Sequence, residues 1–147
     1  MFQHILVPTD GSPLSLIALQ NAIQLAQRSK ARITIIYAQP DPDASVYGEA
    51  ALMRSIDPAK FANIVGKRYR EIQASVHELT DGKDIPYETL CLTAGEPYQA
   101  IIATAEKRGC DLIMMASHGY RGIKGLLLGS QTLKVLANSK TPVLVYK

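Results

Sequence analysis

The stretch from Ala116 to Ser130 holds the residue types best suited to ligand chemistry. Gly119, Gly122, Gly125 and Gly129 are four glycines in eleven positions. Glycines keep side chains away from a ligand and let backbone N–H groups converge on an anion. Gly129-Ser130 then offers a helix amino terminus and a hydroxyl, a second source of donors for phosphate. The pattern is not a Walker loop, because Gly-Lys-Ser/Thr does not follow the glycines. Nor is it the dinucleotide fingerprint, because nothing after the first apolar run reads Gly-x-Gly-x-x-Gly. A loop needing glycine only for its turns would have the same composition, and composition leaves the two readings level.

Other reactive side chains give less. His118 sits beside the glycine loop with no carboxylate near it in sequence and no nucleophile to pair with, so a packing or loop hydrogen-bond role is expected. His4 precedes a strand and His77 falls on a helix, and neither makes a metal site with it by any recognisable spacing. Arg121 and Lys124 either reach phosphates or are ordinary solvated bases. Cys91 and Cys110 lie 19 positions apart in no paired spacing, which argues against a disulfide framework or zinc knuckle and for inert thiols.

These residues need elements to hold them. Ile5-Leu6-Val7 ends at the turn formers Pro8-Thr9-Asp10-Gly11 and reads as a buried strand. Ser12-Pro13 opens a helix that ends near Arg28 to Lys30, with Leu14, Ala18, Ala22, Leu25 and Ser29 on one face. Residues 33–38 are apolar on both faces, as in a parallel strand covered from two sides. Residues 39–57 form a long irregular or partly helical excursion, either a lid or contact surface or a tolerated insertion. Asp57-Pro58 starts a second helix with Phe61, Ile64, Val65, Arg68, Ile72, Val76 and Leu79 on one face, closing near Asp81-Gly82. Tyr87 to Leu92 is a third strand, Gly95-Glu96-Pro97 leads into a helix that carries Ile101, Ile102 and Ala105 and stops at Arg108-Gly109, and Asp111 to Met115 is a fourth strand. A last helix from near Ser130 buries Leu133, Val135, Leu136 and Ala137, before a strand over residues 142–146. Strands alternating with helices imply right-handed crossovers, a parallel sheet and a doubly wound three-layer α/β sandwich.

Length and composition agree with that plan. A chain of 147 residues suits one domain over residues 1–147. Hydrophobic types at 47% and charged types at 20% give a globular balance, and no apolar run approaches the roughly 18 residues of a membrane helix. The amino-terminal residues have no signal-peptide pattern, so the expected compartment is the cytoplasm. A net charge of +3 is too small for the concentrated basic patch of a nucleic-acid binder.

Met114-Met115-Ala116-Ser117-His118-Gly119, nine residues, Gly129-Ser130, and the ending Thr141-Pro142-Val143-Leu144-Val145 strongly resemble the universal stress protein family. The early run Ile5 to Ser12 resembles that family's first strand and loop, so the resemblance covers the whole chain. It implies a Rossmann-like, adenine nucleotide alpha hydrolase-like sheet of five parallel strands in the order 3-2-1-4-5. The Pro8–Ser12 and Ala116–Gly125 loops would then face each other across a crevice at the reversal of strand order. The family's nucleotide-binding branch has Gly-x-x-Gly, nine residues, Gly-Ser/Thr. This chain matches at Gly119, Gly129 and Ser130 but has Ala116 at the first glycine. An alanine is harmless there with ordinary dihedrals and damaging if the position must be left-handed.

The resemblance implies ATP or AMP as ligand, with Mg2+ or Mn2+ reached through the phosphates. Asp10 would face the ribose hydroxyls or that ion; the alternative is a carboxylate that only stabilises its loop. Ala38 would meet adenine, Pro8 and Thr9 would shape the wall, and Met115 and Ala116 would adjoin the ligand. Ser117, Gly119, Gly129, Ser130, Gln131 and Thr132 would surround the phosphates. The leading reading is a nucleotide-binding regulatory or stress-response protein with at most slow hydrolysis, since no dedicated base or Walker lysine is visible. The alternatives are a ligand-free homodimeric interaction module with a vestigial crevice, told apart by whether the protein retains nucleotide, and a slow metal-dependent ATPase. An apolar last strand at a sheet edge needs pairing or cover, so a homodimer through that strand is expected, together with an unidentified regulatory partner but neither nucleic acid nor membrane.

Overall fold

The computed structural model describes residues 1–40, 57–119 and 128–147. Strands and helices alternate along them: β1 (His4–Pro8), α1 (Pro13–Ser29), β2 (Arg32–Pro40), α2 (Pro58–Thr80), β3 (Tyr87–Ala94), α3 (Pro97–Arg108), β4 (Leu112–Ala116), α4 (Ser130–Asn138) and β5 (Val143–Tyr146). All pairings are parallel and the order is β3-β2-β1-β4-β5. The doubly wound sandwich and its expected strand order are both present.

The two-sided apolar strands explain the layers. Ile5, Val7, Ile33, Ile35, Leu112 and Met114 point to one side, where they pack with Leu19, Ile23, Ile72 and Val76 of α1 and α2. Leu6, Ile36, Ile113 and Met115 point to the other, against Ile101 and Ala105 of α3 and Val135 of α4. Burying each such aliphatic side chain contributes about 1.5–3 kcal/mol. The capping signals at Ser12 and Asp57 also hold, and the structure adds one at Glu96. Ser12 accepts from the Ser15 amide at 3.4 Å, Asp57 Oδ1 from the Lys60 amide at 3.0 Å, and Glu96 and Gln99 form a capping box at α3.

Some expected faces are rotated. In α1 the buried stripe is Ser15, Ala18, Leu19, Ala22, Ile23 and Ala26, while Leu14 and Leu25 are half-buried. The Ser15 hydroxyl bonds the Ser12 carbonyl at 2.9 Å and Thr9 Oγ1 at 2.9 Å, which turns it inward. In α4 Thr132 and Val135 are buried, whereas Leu133, Leu136 and Ala137 are exposed. There the Thr132 hydroxyl is drawn to the end of β4 and carries the leucines outward. In α2 burial is confined to Ile72, Val76 and Thr80, and Ile64 is exposed. Most of the expected 39–57 excursion, residues 41–56, lies outside the described residues. Among the described residues no helix is long and apolar enough to cross a membrane.

Candidate functional site

A cavity of about 510 Å³ opens at the carboxyl ends of the strands, where β1 and β4 sit side by side at the reversal of order. Pro8, Thr9 and Asp10 form one wall, and Ala38 joins from the end of β2. Met115, Ala116 and Gly119 come from β4 and the residues after it, and Gly129, Ser130, Gln131 and Thr132 from the start of α4. Every residue that the sequence assigned to the site therefore lines the cavity, except Ser117.

The β1–α1 loop is held by its own side chains. The Thr9 amide donates to the Ile36 carbonyl at 2.9 Å, and Thr9 Oγ1 accepts from the Gly11 amide at 3.2 Å. Asp10 Oδ1 accepts from the Ser12 amide at 2.9 Å, so the carboxylate does brace its loop, as the plainer reading of this residue expected. Gly11 has φ +80°, a conformation that glycine supplies without strain. A Cβ there would also lie 3.3 Å from Ile72 Cγ1, so this glycine lets α2 close on the loop.

Across the crevice, Ala116 is the last residue of β4 and pairs with Tyr146. The only non-glycine residue with positive φ among those described is Lys30, so Ala116 has ordinary dihedrals and no backbone cost attaches to the missing glycine. Ser117 is buried: its amide donates to the Tyr146 carbonyl at 2.7 Å, and its hydroxyl pairs with His118 Nδ1 at 3.0 Å. Its carbonyl accepts from the Gly129 amide at 2.7 Å and from Thr132 Oγ1 at 3.0 Å. Ser117 thus holds the end of β4 to α4 and to β5.

The two matching glycines answer to close approaches. A Cβ at Gly119 would collide with Asp10 Oδ2 and lie 2.9 Å from Asp10 Cγ. A Cβ at Gly129 would lie 3.2 Å from the Ser117 carbonyl oxygen. Gly122, Gly125, Arg121 and Lys124 lie outside the described residues. Gln131 Oε1 accepts from the Tyr98 amide at 2.9 Å, fixing α4 to the first turn of α3, whose Pro97 and Ile101 complete the wall.

The arrangement offers a carboxylate at Asp10, a hydroxyl at Ser130 and the first-turn amides of α4, which have no acceptor within the helix. Those donors suit an anion. Among the described residues no group of three or more His, Cys, Asp or Glu side chains gathers that could hold a metal ion. The sequence did not assign Ser15, Ile36, Tyr37, Arg68, Pro97, Ile101 or His118 to the site; all seven line the cavity. A charged residue on the otherwise apolar face of α2 was the available signal for Arg68. Burial pushes the Cys110 thiol up to about 11 and raises that of Cys91, so both stay protonated at neutral pH, as inert thiols should.

Comparison with known proteins decides the family. The family model described as "Universal stress protein family" matches residues 1–147. The chain belongs to the universal stress protein family. That places it among stress-response proteins. It is 33% identical over 150 residues to a Thermus aquaticus protein named "Universal stress protein in QAH/OAS sulfhydrylase 3'region", covering all of both chains. The solved structure of universal stress protein UspA from Lactobacillus plantarum has a TM-score of 0.81 at 23% identity, covering 99% of this chain and 97% of that one. A universal stress protein solved in complex with cAMP has a TM-score of 0.65 at 26% identity, covering 98% of this chain and 95% of its own.

Proposed function

We propose that the protein binds an adenine nucleotide, ATP or AMP, in the crevice between the β1–α1 loop and the start of α4, and acts as a regulatory stress-response factor. The observation that carries this reading is the convergence of Asp10, Gly119, Gly129 and Ser130 on one cavity of about 510 Å³, with Ala116 in ordinary strand geometry. A relative of similar fold in complex with cAMP supports the ligand class. The base would lie toward Ala38. The phosphates would meet the amino terminus of α4 and the Ser130 hydroxyl, and Asp10 would face the ribose or a phosphate-bound Mg2+ or Mn2+. Any hydrolysis would be slow, because the described wall has no lysine, and the serine that contacts His118, Ser117, is buried and holds β4 rather than lining the cavity.

The same reading includes a homodimer through β5 in the cytoplasm. Leu144 of β5 is 40% exposed, and Leu133 and Leu136 of α4 are 52% and 41% exposed, an apolar margin that a second copy would cover. One observation favours the ligand-free module instead. The hydroxyls of Ser117 and Thr132 and the Gln131 Oε1 are all committed to intramolecular hydrogen bonds, which narrows the donors left for phosphate.

Isothermal titration of nucleotide-stripped protein with ATP and with AMP, each with magnesium, separates the two. Micromolar binding that is lost in Gly129→Asp, with that variant's fold checked by circular dichroism, supports the nucleotide reading. Absence of heat together with absence of thermal stabilisation sinks it and leaves the interaction module.

A further inference from the structure

At the amino-terminal end of the sheet, away from the cavity, His4 is buried at the start of β1. Its Nδ1 lies 3.1 Å from the carbonyl oxygen of Arg108, and its Nε2 lies 2.8 Å from Thr34 Oγ1 on β2. Thr34, itself buried, donates to Glu88 Oε1 on β3 at 2.9 Å. The Arg108 guanidinium meets the same carboxylate oxygen at 3.0 Å. One chain of contacts therefore crosses β1, β2 and the edge strand β3, and closes on the end of α3.

The other charged groups around His4 are Arg32, its register partner on β2, and Asp111 in the turn before β4. The Asp111 carboxylate accepts from the amides of Gln3 at 2.8 Å and His4 at 3.0 Å. The buried Cys110 thiol shares Arg32, Glu88, Arg108 and Asp111 as neighbours.

The hydrogens along this chain can be counted. A carbonyl only accepts, so Nδ1 carries a hydrogen. A carboxylate already paired with Arg108 only accepts, so Thr34 must give its single hydroxyl hydrogen to Glu88. Thr34 Oγ1 can then receive from Nε2 only if Nε2 carries a hydrogen as well. With a neutral ring, Nε2 and Glu88 compete for one hydrogen, and one buried contact sets lone pair against lone pair.

We propose that His4, Thr34 and Glu88 form a proton-operated latch: a proton taken from solvent at His4 Nε2 commits the Thr34 hydroxyl to Glu88 and fastens edge strand β3 to β1 and β2. Burial first, and Arg32 second, hold His4 below the ordinary value of 6.5 against the pull of the Arg108 carbonyl, Glu88 and Asp111. The latch is accordingly open at neutral pH and closes on acidification.

The test follows the ring nitrogens of His4 by NMR in the full chain from about pH 8 to about pH 5. Hydrogen exchange of the β3 amides, corrected for intrinsic chemistry, is measured at each point. The expected result is a neutral ring protonated at Nδ1 only, which gains a proton on Nε2 as β3 exchange slows by about two- to tenfold. Thr34→Val is nearly isosteric and should abolish the pH dependence of β3 exchange, while Thr34→Ser keeps it. In Glu88→Gln the carboxamide can donate to Thr34 and Thr34 to Nε2, completing the chain with a neutral ring, so the His4 pKa should fall further. A neutral ring carrying its hydrogen on Nε2, β3 exchange unchanged through the titration, or pH dependence surviving in Thr34→Val would each overturn the latch.

Discussion

Asp10 and Gly119 depend on each other across the crevice, because the carboxylate occupies the space that any side chain at 119 would need. Gly119→Ala should cost about 1–3 kcal/mol in urea unfolding, as overpacking does, and weaken nucleotide binding. Combining it with Asp10→Ala should recover part of that loss, a coupling of about 0.5–3 kcal/mol in the double-mutant cycle. Ala116 behaves differently. Its ordinary strand dihedrals make Ala116→Gly a test of whether the family's first glycine matters here. We expect titrations with ATP to change by less than about twofold, while stability drops by about 0.5–1 kcal/mol from the added backbone freedom.

At the scale of the elements, the start of α4 is fixed by Thr132, whose hydroxyl reaches the carbonyls of Ala116 at 3.1 Å and Ser117 at 3.0 Å. Thr132→Val keeps the shape and removes both contacts. It should destabilise the fold by about 1–2 kcal/mol and speed amide exchange at the Gly129 N–H, which bonds the same Ser117 carbonyl. The start of β1 is fixed by Asp111. Burial pushes its carboxyl up, but the His4 and Gln3 amides outweigh this and hold it below the ordinary 3.8. A depressed carboxyl stabilises the fold above its unfolded pKa, and the effect disappears as pH falls through its folded value. Asp111→Ala should therefore cost about 1 kcal/mol at neutral pH, and the gap from wild type should close in strong acid, as denaturation curves taken across pH will reveal.

For the whole molecule, the exposed leucines of α4 and β5 bear on assembly, and the buried histidine bears on acid stability. Leu144→Lys on the edge strand should convert a β5-paired dimer to monomer in light scattering while leaving the thermal midpoint of the monomer little changed, since Leu144 is already 40% exposed. His4 is held below 6.5 in the folded chain, so the unfolded chain takes up the proton more readily. Global stability should fall as pH drops from about 6.5 toward the lowered value and then level off. His4→Gln, in which the ring no longer titrates, should flatten that part of the profile. This global trend is separate from the local fastening of β3, which sets in as pH falls through the lowered folded value.

The sequence by itself determined the alternation of strands and helices, because two-sided apolar runs and the caps at Ser12 and Asp57 are local signals with local causes. Together with the motif through Gly119, Gly129 and Ser130, it also pointed to the family and to eleven of the eighteen residues of the cavity wall. Only the tertiary structure decided which way the helices face. Ser15 and Thr132 turn inward to reach partners on other elements, and hydrophobic periodicity alone favours a leucine over either. It also decided that Ala116 has ordinary dihedrals, that Ser117 holds strands rather than lining the cavity, and that Gly119 makes room for Asp10. The latch at His4, Thr34 and Glu88 was invisible for the same reason: its members are 30 and 54 positions apart along the chain and meet only through the register of three parallel strands.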